Sequence, residues 1–199
     1  MEDSILNVAK RTDAFMMERS PIHEAMRRIS STLSQMDISF AVAGAMAANL
    51  HGHRYTTAVV DILLSRADLK KFKDEWIGRG WLDKFEGSKG FRDTVCNVSI
   101  DVLLVGDYPG DGQPKPVQFP SPETVAELTD GIPFLSLASL IELKLASGMT
   151  AEHRLKDKAD VIELIRVNGL AEDYQEKLDG YVRPTYLAMW RAAQVEEDY

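Results

Sequence analysis

The chain has 199 residues, 45% hydrophobic and 27% charged, with 31 acidic against 23 basic side chains and a formal net charge of −8. That balance suits one soluble globular domain, or one core with an appendage, and lacks the clustered Lys and Arg that a broad nucleic-acid backbone surface needs. No apolar run reaches the roughly 18 to 20 residues of a membrane span, so no membrane association is expected. A single cysteine, Cys96, excludes an internal disulfide and a thiolate zinc site. The opening MEDSILNVAK is acidic and unlike a secretory leader, which points to a cytoplasmic protein.

In chain order, Ser20-Pro21 places a capping serine before a proline suited to the first helical position. The helix is predicted to run to about Gln35, with Ile22, Met26, Ile29 and Leu33 on one face. ISFAVAG then reads as a buried strand ending at Gly44, AMAANL as a short helix and AVVDILL as the next strand. Ser65 followed by Asp68 is a capping-box pattern that opens a helix over RADLKKFKDEWIGRG. FRDTVCNVSIDVLLVGD supplies one or two more strands. Residues 106–122, rich in Pro and Gly, form a long loop and the best internal boundary, either a lid over a site or a plain surface loop. Helices are expected after it, at SPETVAEL, LASLIELKLASG, AEHRLKDKADVIELIRVNG and from Thr185 to about Val195, with a frayed EEDY tail. The expected fold class is therefore α/β (α+β), with an α/β core and N-terminal helix over residues 1–120 and a helical region over 121–199 packed on it.

Two strands repeat one pattern. VDILL at 60–64 and IDVLL at 100–104 each carry one aspartate between β-branched neighbours, followed by a Leu pair. If the strands are neighbours, Asp61 and Asp101 converge, and two close carboxylates repel unless a proton or cation lies between them. A hard divalent ion, Mg²⁺ or Mn²⁺, suits such an all-oxygen pair, whereas a lone aspartate at a strand end is usually solvated or bonded to backbone amides. Gly44 sits where a strand turns into a helix, a place where backbone amides can approach a phosphate. His51 and His53 lack the companions of a zinc site and suit loop packing.

Gly44-Ala45, the NLHG that follows, Thr57, VDILL and the downstream IDVLL together resemble the nucleotidyltransferase superfamily, and most of all its small bacterial members of the AbiEii toxin type. The resemblance spans about residues 20–166. It implies a mixed sheet with flanking helices and a triphosphate held at Gly44 and Ala45, with Arg54 and Thr57 nearby. It further implies Mg²⁺ or Mn²⁺ at Asp61 and Asp101, a catalytic Lys144, and transfer of a nucleoside monophosphate from a nucleoside triphosphate to a hydroxyl on RNA, a protein or a small molecule. An antitoxin-like protein partner is part of the same implication. The sequence departs from the family pattern in two places. Val59 stands where the first of three carboxylates is usual, and Tyr55 stands where an arginine is common, beside Arg54. Two functions follow: an active metal-dependent transferase, or a catalytically silent module of the same fold that binds a nucleotide or a protein partner. Lys144 falls on the Leu137, Leu140, Ile141, Leu145 stripe, either at the edge of the core or aimed into the site. Arg154, Lys156 and Asp157 read as a solvated helix face, with Lys156 paired to Asp160. Asp93 and Asp107 are the remaining candidates for an extra oxygen donor.

Overall fold

The computed structural model describes residues 20–151 and 154–195; the MEDSILNVAK opening, Glu152 and His153 of the AEHRLKD segment and the EEDY tail lie outside the described residues. Helix α1 (Pro21–Gln35) starts behind Ser20, which is extended and bonds the His23 ring at 2.8 Å rather than a backbone amide. Strand β1 (Phe40–Ala43), helix α2 (Gly44–Leu50), strand β2 (Val59–Leu64) and helix α3 (Arg66–Trp76) follow. The capping box opens α3 as expected: the Asp68 amide donates to the Ser65 hydroxyl at 3.0 Å, and that hydroxyl donates to the Asp68 carboxylate at 2.6 Å. Two short strands, β3 (Trp81–Asp83) and β4 (Phe91–Asp93), precede the long β5 (Val98–Leu104).

The expected SPETVAEL helix is one turn only, α4 (Pro122–Val125); the chain then enters strand β6 (Ala126–Thr129) and returns as β7 (Ile132–Leu135). Asp130 and Gly131 between them both have positive φ, 49° and 77°, the backbone of a two-residue hairpin turn that Asp-Gly favours. Local turn chemistry thus overrides the helical reading of VAEL. From Ser136 on, the described chain is helical, with α5 (Leu137–Thr150), α6 (Leu155–Asn168), a 3-10 segment at Glu172–Lys177 and α7 (Arg183–Ala193).

The seven strands among the described residues join one mixed sheet in the order β3-β4-β5-β2-β1-β7-β6. Strand β2 lies antiparallel to β1 and parallel to β5, and β7, beyond the Pro/Gly loop, pairs parallel with β1 at Val42 and Phe134. Along β5, Val98, Ile100, Val102 and Leu104 are buried while Ser99, Asp101 and Leu103 are only partly covered, so one sheet face is sealed and the other is partly open. On the sealed face Val60, Ile62 and Ile100 pack with Ile29 and Leu33 of α1 in the core. A second anchor joins α3 to the β3–β4 edge: Phe72 stacks on Phe91 at 4.6 Å, and Trp81 meets both rings edge-on at 5.7 and 5.6 Å. Each such ring contributes about 2–3 kcal/mol by burial alone. Among the described residues, no helix is long and apolar enough to cross a membrane.

Candidate functional site

The two aspartates occupy matched positions. The register of β2 on β5 sets Asp61 directly beside Asp101, on the partly open face, with Ala43 on the other side of Asp61 in β1. Strands in a sheet lie about 4.8 Å apart, so the two carboxylates share one small volume. Among the described residues, Asp61 has no hydrogen-bond or ion-pair partner. Burial, and next the neighbouring Asp101 charge, push its carboxyl up to about 6, against the pull of Lys144, Arg154 and Lys84.

Gly44 lies against this carboxylate. The chain leaves β1 through Gly44 at φ +56°, and a Cβ placed there would sit 1.9 Å from the Asp61 Oδ2 atom. Only glycine allows both the left-handed turn and the close approach. The following helix α2 has seven residues, too short to add much dipole, so attraction for an anion must come from side chains.

Those side chains line a cleft of about 600 Å³ that holds Gly44 and Asp61 together with Lys89, Lys144, Arg154 and Asp157. Lys144 is buried, and it donates to Asp160 at 2.5 Å and to Asp157 at 3.4 Å. Asp157 also accepts from Ser147 at 2.7 Å and Arg154 at 2.6 Å. Burial alone would raise its pKa, but Arg154, Lys144 and Ser147 together hold the carboxyl below its usual value. Asp160 accepts further from the Tyr55 hydroxyl at 3.1 Å and contacts the His53 ring at 3.2 Å. Burial and then the Asp160 charge push the Tyr55 phenol far above its ordinary value, so it stays a donor. Two expectations are corrected here. Asp157 is buried against Lys144 rather than on a solvated face, and Lys156 lies over the Tyr55 ring at 4.0 Å instead of pairing with Asp160, which is buried too.

The Pro/Gly loop forms one wall of the cleft through Tyr108, Pro109, Gly110 and Gly112. Its base is closed by the Gly106 amide to the Phe119 carbonyl and the Phe119 amide to the Asp107 carbonyl, both at 2.9 Å. Its tip is docked on α5, where Lys115 donates to the Pro109 carbonyl at 2.6 Å and to Thr150 at 3.1 Å. Gly110 touches the same helix so closely that a Cβ would meet the Ser147 carbonyl at 2.8 Å.

The other expected residues sit elsewhere. Asp101, the second member of the pair, is outside the cleft lining, and its Oδ1 atom accepts from the Lys84 ammonium of the β3–β4 turn. Ala45 is outside the cleft lining, Arg54 lines a separate pocket with His23 and Asn49, and Thr57 is engaged with the Val59 backbone at 3.1 and 3.3 Å. Val59 faces the same side as Asp61, opposite Ser99. Asp93 is fully buried and held by Arg28 at 2.8 Å and by two backbone amides. Asp107 lines the cleft but pairs with Arg66 and Lys89. His51 contacts the Leu135 carbonyl at 2.8 Å, a packing contact.

Sequence reasoning missed Lys84 and Lys89. Their one signal was a Gly-punctuated turn, KFEGSKG, carrying two lysines between strands. Among the described residues, no group of three or more His, Cys, Asp or Glu side chains gathers as a metal-ligand set. Two carboxylates side by side on neighbouring strands still match what Mg²⁺ asks of a protein when substrate phosphates and water complete its shell. Valine at 59, beside Ser99, offers no further oxygen donor at that strand position. The donor set fits one divalent cation. The chain matches no family model and no curated protein in sequence.

Proposed function

We propose that the chain binds a nucleoside triphosphate together with one divalent cation in this cleft and transfers the nucleoside monophosphate to a hydroxyl acceptor. The observation that carries the reading is Asp61 held beside Asp101 in register, under a glycine turn, at one end of a cleft whose other polar groups include three cations. Lys89, Lys144 and Arg154 line the same cleft, each already bonded to an aspartate (Asp107, Asp160 and Asp157), so an anionic ligand would share those cations and draw its net countercharge from the divalent ion. Gly44 leaves the Asp61 carboxylate open to the cleft, and the docked 106–119 loop gives a fixed wall for the rest of the nucleotide. Mg²⁺ or Mn²⁺, when bound at Asp61 and Asp101, would neutralise charge on the transferring and leaving phosphates. In the transfer, the acceptor oxygen bonds the α-phosphorus, the bond to pyrophosphate breaks, and the hydroxyl proton passes to water. Lys144 and Arg154 hold the phosphates in line for that exchange, which is chiefly a matter of positioning and charge.

Val59 favours a second reading, nucleotide binding without transfer, because a hydrocarbon stands where a further carboxylate would help hold metal. One experiment separates the two. Each of four α-labelled nucleoside triphosphates is supplied with Mg²⁺ or Mn²⁺ and a total RNA and protein extract, to the chain and to its Val59→Asp and Asp61→Ala forms. Labelling by the chain that Asp61→Ala abolishes supports transfer. Labelling by Val59→Asp alone supports the binding module. Absence of both labelling and nucleotide binding in every form overturns the proposal.

A further inference from the structure

We propose that Lys84 is a resident cation of the aspartate pair and competes with the divalent ion for Asp101. The inference rests on the reading above that a cation binds between Asp61 and Asp101. Three features of the β3–β4 turn support it. Lys84 follows the last residue of β3 and is two strands away from Asp101, yet its ammonium bonds the Asp101 Oδ1 atom. It gets there across Gly90. A Cβ on Gly90 would lie 3.0 Å from that same Oδ1 atom, 3.4 Å from the Lys84 Cε and 2.7 Å from the Ile100 carbonyl. Any larger residue at 90 would fill the passage that the lysine stem uses. Finally, the Lys84 side chain is only 25% exposed, against 46% for Asp101, so the stem is packed down and the ammonium is not a loose surface charge.

The charge arithmetic gives the pairing a consequence. Two aspartates carry a charge of about −2 when ionised; Lys84 leaves the cluster near −1, and Val59 supplies no further acid. A divalent ion arriving at Asp61 therefore meets a pair already half neutralised. Even at the dielectric of water, one positive charge about 5 Å from a divalent ion weakens its binding by roughly an order of magnitude. Binding should also loosen the turn that carries Lys84, since its ammonium loses part of its hold on Asp101. Lys84 thus weakens the uptake of divalent ions by the nucleotide-free chain, and a bound nucleotide, whose phosphates add negative charge, offsets it.

The test titrates Mn²⁺ into the full chain without nucleotide, with free Mn²⁺ read by electron paramagnetic resonance. Wild type is compared with Lys84→Met, Lys84→Arg and Asp61→Asn, each checked for native circular dichroism. Lys84→Met is expected to bind Mn²⁺ about tenfold more tightly or better, and Lys84→Arg to stay near wild type. Amide exchange over residues 84–90 should rise on Mn²⁺ addition in wild type. Equal or weaker binding by Lys84→Met, with Asp61→Asn abolishing it, overturns this inference and leaves the cation site standing. No Mn²⁺ uptake by any form, even with a non-hydrolysable nucleoside triphosphate, overturns both.

Discussion

Replacing Asp61 by asparagine should stabilise the metal-free chain at neutral pH. Burial and then the Asp101 charge push the native carboxyl up from its ordinary value of 3.8 to about 6. Between those two values the native state keeps a proton that the unfolded chain has released. Stability therefore falls as pH rises through that window and stays lower above it. Two pKa units correspond to about 3 kcal/mol. Water in the open cleft screens part of this, leaving about 1–2 kcal/mol as the expected gain in Asp61→Asn at pH 7. Urea unfolding in the presence of a chelator, at steps from pH 4 to 7.5, measures it. The two curves should nearly meet at pH 4, where the carboxyl is protonated in the native state, part between pH 4 and 6, and run a constant distance apart above pH 6. Mg²⁺ with a non-hydrolysable nucleoside triphosphate should reverse the order, since it stabilises only the form that binds it. An asparagine variant no more stable than wild type at pH 7, or a gap that persists undiminished at pH 4, would refute the electrostatic account of this site.

Gly44→Ala should lose about 2–4 kcal/mol in urea unfolding, from the left-handed turn and the clash with Asp61. Combined with Asp61→Ala, the loss should shrink to the backbone part, about 1 kcal/mol; simple additivity would sink the claim that the two residues touch. Lys144→Met leaves Asp157 and Asp160 buried with less countercharge and should cost about 3–5 kcal/mol, read by the same unfolding assay. A loss below 1 kcal/mol would show that the buried cluster is not held by that lysine.

Two apolar runs, each with one aspartate between β-branched neighbours, made β2 and β5 legible, and their matched aspartates announced the pairing that the register of Asp61 on Asp101 displays. Serine caps marked where α1 and α3 begin. The hairpin at 126–135 was hidden because ETVAEL has ordinary helix formers, and only the Asp-Gly pair at 130 and 131 signals the reversal. The polarity of α6 was misread for a related reason. Asp157 and Asp160 look like surface charges in sequence, and only the packing of α6 on α5 shows that Lys144 meets them. Lys84 was beyond reach because its partner lies two strands away, across a glycine that says nothing by itself.

The parallel pairing of β7 with β1 also bears on how the chain is made. Val42 meets Phe134, a neighbour that leaves the ribosome 92 residues later. At synthesis rates of 5–20 residues per second, one edge of β1 stays open for about 5–18 s. During that interval the nascent front half presents the apolar strand FAVA with unsatisfied backbone groups, a template for pairing with other chains. Heterologous expression should therefore gain soluble yield from slower initiation or added chaperone, and a fragment ending at residue 120 should aggregate for want of the strand that closes that edge.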